Sequence, residues 1–361
     1  MTLEEAPGST REVEAERQAR TRSRYKRGGG GRFLLRRLGF YSVTAFVAVV
    51  LNFMIPRLMP GDPVINLARQ IQRQTGAPLT EETLQALYML YGRPDENIFS
   101  QFFNYMSGLL QGDLGISILN YPTPVTEVVG NALPWTVGLV GITTLLAWLI
   151  GTALGCWVGF KPGSRLDTIL TPGSQFFSAF PAFWVAMLAL WLFAFNLGWF
   201  PRAGGYDPNV PFEINNVWFL LSVLHYGALP ALTLVLVGFA SWLFGMRNMT
   251  VSTISEDYVV LAKAKGLSGR RVLFGYAARN ALLPNITSLA MAIGGIIGGT
   301  VLTEIVFTYP GMGQLLLQAV NTQDFPVMQM IFLMLVFTAL VANFIVDSIY
   351  VLLDPRTRET S

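Results

Sequence analysis

The chain has 361 residues, of which 52% are hydrophobic and only 13% charged. Soluble domains carry about 25% charged residues, so this composition excludes an ordinary water-soluble fold and points to a membrane protein. The net charge of +3 is no argument for nucleic-acid binding, because the basic residues are segregated along the chain and orientation in a bilayer accounts for them.

Residues 1–37 are expected to form a disordered basic tail, which holds ten of the Arg and Lys side chains. Residues 1–32 are rich in Arg, Glu, Ser and Gly and lack an apolar face, so disorder is expected, with Gly28 to Gly31 as a hinge. The run Arg32 to Arg37 reads as a topology anchor that also suits anionic headgroups. The first apolar run starts near Leu38 and continues to membrane-spanning length, unlike a cleaved secretory signal. Six stretches supply the roughly 20 apolar residues that a crossing needs: 38–59, 133–160, 176–198, 228–247, 284–303 and 328–351. Their length and lack of period-2 alternation predict helices rather than barrel strands. Lipid tolerates no unpaired backbone, so the expected fold is an all-α integral membrane bundle. Twenty basic residues fall in the tail, in the loops after the second and fourth spans and in the terminus 354–361, against four in the alternate loops. Both termini are therefore expected in the cytoplasm, and segment 60–132 outside.

Leu58 to Pro63 is a turn-rich exit from the first span. Beyond it, Glu81 to Tyr91 places Leu84, Leu87, Tyr88 and Tyr91 on one helical face, and Ile98 to Leu110 does the same with Phe99, Phe102, Phe103, Met106, Leu109 and Leu110. These faces need a cover: each other, the bundle, the membrane surface or a partner. Gly151, Gly155 and Gly159 recur every four residues in the second span, and Gly294-Gly295 and Gly298-Gly299 repeat that spacing in the fifth. Such faces let helices approach closely; a pore-lining role for the second set is compatible with packing. The lone Cys156 precludes an intrachain disulfide and reads as a buried thiol. His225, the single histidine, cannot build a metal site alone.

Ionisable groups within the spans are few. Asp347, with Asn343 one turn earlier, should face protein or water, as an interhelical contact or in a translocation path. Glu304 should emerge at the outer edge, as an entrance or packing group. Gly294, Gly298, Thr300, Asn343 and Asp347 are the candidate path residues.

The loop 247–283 between spans four and five contains Glu256-Asp257-Tyr258-Val259-Val260-Leu261-Ala262-Lys263-Ala264-Lys265-Gly266-Leu267 and closes toward Leu283-Pro284. Val259 to Lys265 suits a short helix whose apolar edge is Val259, Ala262 and Leu261, with Lys263 and Lys265 solvated. Gly266 can take positive φ and end it. A second helix through Arg270, Arg271 and Arg279 then leads to Pro284, placed to start span five. From periodicity alone, an amphipathic hairpin covering the bundle accounts for this loop.

The loop resembles the ATPase-docking loop of binding-protein-dependent ABC importer permeases, in particular the dipeptide and oligopeptide branch. Val260-Leu261-Ala262 stands where the superfamily has Glu-Ala-Ala, Gly266 follows at the right distance, and Leu283-Pro284 closes a longer second arm. Further similar fragments occur in order: Leu58 to Pro63, Leu110 to Gly115, Pro181 to Trp184, Leu302 to Gly313, and Leu353 to Arg356. The resemblance implies a type I permease with six transmembrane helices, an extracytoplasmic helical insertion (60–132) and a core over 131–350, in the cytoplasmic membrane of a prokaryote. It implies a docking role for Glu256, Asp257, Tyr258, Val260, Leu261, Ala262, Ala264, Lys265, Gly266, Leu267, Leu283 and Pro284. It also implies partners: a homologous second permease, two cytosolic ATPases that use ATP and Mg, and an extracytoplasmic solute-binding protein. The chain itself is expected to be non-catalytic and to bind no cofactor. No lysine precedes Ser or Thr, so no Walker A loop exists. Peptide is the default cargo, with oligosaccharide or nickel as alternatives. A zinc protease fails on one histidine, and a serine nucleophile elbow is missing. An ion-coupled transporter is the remaining rival, although the spans are not visibly repeated and charge at mid-depth is scarce.

Overall fold

The computed structural model describes residues 29–58, 64–65, 68–69, 71–72, 76, 80–91, 97–296 and 300–353. The tail through residue 28, most of the exit turn Leu58 to Pro63, Gly298 with Gly299, and the terminus 354–361 lie outside the described residues. Among the described residues the regular structure is helical, apart from one bridge between Ile116 and Pro124.

Helix α1 spans Gly29–Leu58. The expected hinge and disorder up to Arg37 therefore give way to helix from Gly29 onward: Phe33, Leu34 and Leu35 continue the apolar run, and Arg is itself a good helix former. Residues 64–65, 68–69 and 71–72 are also helical, and helices α2 (Glu81–Tyr91) and α3 (Ile98–Gln111) follow. Next come α4 (Val125–Phe160), α5 (Arg165–Ser178) and α6 (Ala182–Ala189), the last continuing as π-helix through Leu190–Asn196. Helix α7 (Val217–Ile254) leads into a hairpin of α8 (Asp257–Ala264) and α9 (Gly269–Val272). A π-helical turn, Leu273–Ala277, joins α9 to α10 (Ala278–Gly294). The chain ends with α11 (Val301–Val306), α12 (Met312–Thr322) and α13 (Phe325–Leu353).

Helices α1, α4, α7 and α13 are long and apolar enough to cross a membrane, and the bent pair α5–α6 makes a fifth candidate. Two expected spans take a different form. Residues 176–198 are not one helix: α5 ends at Ser178, and the path turns by 97° before α6. Pro181 disfavours helical backbone at Phe180, which places the break there. Residues 284–303 likewise divide, with α10 ending at Gly294, capped by Gly295, and α11 starting only at Val301. Each glycine weakens a helix by about 1 kcal/mol relative to alanine, and four of them lie between Gly294 and Gly299.

The pair α4–α7 is the spine of the bundle. The glycine row of α4 makes it possible: a Cβ at Gly151 would lie 2.5 Å from the Phe239 carbonyl, one at Gly159 would lie 2.7 Å from that of Arg247, and one at Gly155 would overlap the Leu243 carbonyl. Two apolar clusters hold the end of the bundle remote from the hairpin. One joins Val125, Val128 and Val129 to Met312, Leu315, Val327 and Ile331; the other joins Leu139, Ala186 and Leu229 to Phe307 and Tyr309.

Candidate functional site

The hairpin is anchored by its own side chains. Val259 and Ala262 are almost fully buried and pack with Val272, Phe160 and Leu267. Gly266, at φ 77°, ends α8 in the left-handed conformation. The Leu267 N–H reaches back to the Ala262 carbonyl at 3.4 Å, the 6→1 bond of a Schellman ending, with Leu267 supplying the accompanying apolar contact. The Tyr258 hydroxyl accepts a hydrogen bond from Asn280 Nδ2 at 2.7 Å, tying α8 to α10. Tyr258, Gly275, Tyr276, Arg279 and Asn280 line a shallow groove between the two helices.

The other face of α8 is open. Val260 and Leu261 are 51% and 56% exposed, and Tyr258 is 39% exposed. Beyond them Phe274 and Leu283 are exposed too. Glu256 and Asp257 at the helix start, and Ala264 and Lys265 at its end, are solvated; the acidic pair suits the positive end of the helix dipole. The expected apolar edge therefore divides, with Val259 and Ala262 turned inward and Leu261 turned outward beside Val260. Pro284 does not start a helix as expected. It lies within α10, beyond a helical path that already begins at Gly269, because the π-helical turn carries the chain into α10 ahead of the proline.

Among the described residues, the candidate path residues have different surroundings. A Cβ on Gly294 would overlap Ala342 of α13, so this glycine serves close packing. Thr300 is buried at the start of α11, Asn343 is exposed, and Gly298 lies outside the described residues. Asp347 faces α1, where it accepts a hydrogen bond from Tyr41 at 2.7 Å and pairs with Arg37. This geometry is an interhelical contact between the first and last helices.

Several polar anchors have partners that the sequence does not reveal. Asp167 accepts from Arg247 Nε at 2.6 Å and Nη2 at 2.9 Å, from Thr171 at 2.6 Å and from the Gly163 N–H at 2.8 Å. This bidentate clamp closes the hairpin end of the spine; the spacing Ser164-x-x-Asp167 was its local clue. Asn285 accepts from Trp148 Nε1 at 2.6 Å and from Thr152 at 3.2 Å. At the far end, Thr136 accepts the Met312 N–H and Glu304 the Gly313 N–H, both at 2.7 Å. Together these two side chains satisfy orphan donors at the start of α12. Glu304 is thus a buried capping group, 1% exposed, which accords with a packing role and not an entrance role.

Residues 151–359 match the family model for the binding-protein-dependent transport system inner membrane component. The chain is similar to the oligopeptide transport system permease protein AppB of Bacillus subtilis, 32% identical over 307 residues, which is 85% of this chain and 93% of that one. It is also 32% identical over 338 residues to the di/tripeptide transport system permease protein DppB of Pseudomonas aeruginosa, covering 90% and 98%. The glutathione transport system permease protein GsiC of Escherichia coli is 31% identical over 330 residues, again covering 90% and 98%.

Proposed function

The chain belongs to the family of binding-protein-dependent transport system inner membrane components, and on that premise we propose that it is the membrane-spanning permease subunit of an ATP-driven peptide importer. The cargo follows the relatives named above, which carry oligopeptides, di- and tripeptides, and glutathione. The chain sits in the cytoplasmic membrane of a prokaryote with both termini inside, as its segregated basic residues support. Its partners are a homologous permease, two cytosolic ATPases that hold ATP and Mg, and an extracytoplasmic binding protein. Hydrolysis occurs on the ATPases, and this chain converts their closure into alternating access.

The observation that carries this reading is the division of α8 into two faces. Val259 and Ala262 fix the helix to its own chain, while Val260, Leu261 and Tyr258 remain open at the tip of a charged loop. An apolar edge held on a rigid support suits a groove on another protein. The two residues Ser255 and Glu256 separate α8 from α7, so a push on the hairpin passes directly into the spine.

Leu261→Asp tests the assignment. Loss of a buried leucine contact costs about 1.5–3 kcal/mol, and each 1.4 kcal/mol is about tenfold in affinity. Uptake of a labelled tripeptide should fall at least about tenfold, and ATPase recovery in a mild-detergent pulldown should fall with it, at an unchanged level of the chain in the membrane. Normal uptake and normal ATPase recovery would sink the docking assignment. Uptake that survives a proton uncoupler while ATP is maintained separates this machine from an ion-coupled one.

A further inference from the structure

Helix α3 carries two stripes offset by one residue. Phe99, Phe103, Met106 and Leu110 form one; Ser100, Asn104, Ser107 and Gln111 form the other. Both follow the i, i+4, i+7, i+11 spacing that keeps residues on one helical face. The helix holds no charged side chain along its length. It is firmly delimited: Asn97 Oδ1 accepts the Phe99 N–H at 3.0 Å, and Gly112 closes the other end at φ 75°.

Among the described residues, only part of its apolar surface is covered. Phe102 and Tyr105 pack on Phe53 of α1, with ring centroids 5.2 and 5.5 Å apart. Asn52 Nδ2 donates to the Tyr105 hydroxyl at 3.1 Å and to the Gln329 carbonyl of α13 at 2.9 Å. The neighbouring stripe stays open, with Phe99 70%, Phe103 69% and Leu110 81% exposed among the described residues. Contiguous exposed apolar surface of this kind marks an interaction site.

The docking point sets its depth. Phe53 lies about 7.5 Å of helix rise from Leu58, and Gln329 about 6 Å from Phe325, at about 1.5 Å per residue. Both are close to the far ends of the candidate spans Arg36–Ile55 and Phe325–Ile345, where a crossing helix passes from hydrocarbon to headgroups. The same turns of α1 present Leu51, Ile55 and Leu58 outward, at 56%, 45% and 75% exposure, so the open stripe of α3 adjoins exposed apolar surface on a helix long and apolar enough to cross a membrane. We propose that α3 is an interfacial helix, lying in the bilayer surface with Phe99, Phe103 and Leu110 inserted among acyl chains and Ser100, Asn104, Ser107 and Gln111 turned to water. An amphipathic helix in the interface plane buries its apolar face about 5–10 Å into the headgroup–acyl boundary. The anchor ties the far end of α1 to the membrane plane and leaves the bundle's other faces to protein partners.

The test compares adjacent residues of one helix. Nitroxide labels are placed at Phe103→Cys, Leu110→Cys and Asn104→Cys in the Cys156→Ala background, with the full transporter reconstituted in liposomes. Power saturation then reads collision with dissolved oxygen and with a water-soluble nickel chelate. Oxygen should outpace the chelate at positions 103 and 110, and the order should reverse at 104. Equal chelate access at 103 and 104 would overturn the proposal. So would protection of 103 and 110 from both reagents, which would assign the stripe to a protein partner. The unmodified chain gives a second reading through a phospholipid bearing a diazirine near its headgroup. Adducts mapped to Phe99–Leu110 support the insertion; adducts on Leu51 and Ile55 with none on α3 reject it.

Discussion

The two ends of the bundle solve the same local problem in opposite ways. At the hairpin, α8 turns through Gly266 into a second helix and leaves Val260 and Leu261 uncovered. At the far end, α11 turns through Thr308, itself at φ 49°, into α12, and there Phe307, Tyr309, Met312 and Glu304 are all nearly or fully buried. The far turn is completed within the chain, its helix start capped by Thr136 and Glu304. The hairpin is completed only on its inner face. Substitutions at the far turn should therefore act on folding, and those on the outer face of the hairpin on assembly.

The sharpest way to break this contrast is Gly311→Val. Even a Cβ there would sit 2.5 Å from Thr136 Oγ1 and closer still to Glu304. Overpacking of this kind costs about 1–3 kcal/mol or more, and here it also dislodges both caps. The expected outcome is loss of the monodisperse peak in fluorescence-detected size exclusion, and a normal profile would refute the far-end account. Next in size is Asp167→Ala. It strands Arg247, whose side chain is 22% exposed, so the cost should approach the lower end of the about 3–5 kcal/mol found when one partner of a buried pair is removed. Pairing it with Arg247→Met should recover much of the lost thermal stability in detergent; no recovery would argue against the clamp.

Ala262→Asp and Leu261→Asp sharpen the comparison within the hairpin. Both should stop transport, for different reasons. Ala262 is buried against Phe160 and Val272, so a carboxylate there should melt the hairpin, costing about 3 kcal/mol, and speed tryptic cleavage at Lys263 and Lys265. Leu261→Asp should leave the cleavage rate unchanged. Equal cleavage of the two variants would mean that the division of faces is wrong. The smallest effect is expected at Lys263, which is solvated: Lys263→Ala should stay within about 0.5 kcal/mol in stability and transport peptide at near-normal rate.

What the sequence made legible was local. The α8 helix, the positive φ of Gly266 and the close-packing row Gly151, Gly155, Gly159 all follow from spacing within a dozen residues. The pairings across the chain were not legible. Asp167 finds Arg247, Asp324 receives the Ser117 hydroxyl at 2.6 Å, and Asp347 finds Tyr41 and Arg37, each through tertiary approach that no periodicity encodes. The breaks near Phe180 and after Gly294 were missed for a related reason. Apolar content shows that a stretch belongs in lipid but not whether one helix crosses it, and Pro181 and the glycine pairs were the only marks of interruption.

The spine has a consequence for how motion would travel. Helices α4 and α7 hold 36 and 38 residues, or about 54–57 Å at about 1.5 Å per residue, against about 30 Å of hydrocarbon. Their glycine contacts are concentrated between Gly151 and Gly159, near one end. That point is a fulcrum with a short arm at the hairpin and an arm of about 39 Å from Gly151 to Val125. A tilt of a few degrees imposed at the hairpin would be magnified at the far end. Double electron–electron resonance between labels at Val137 and Leu220, both exposed, would register it as a distance change larger than any seen beside the glycines.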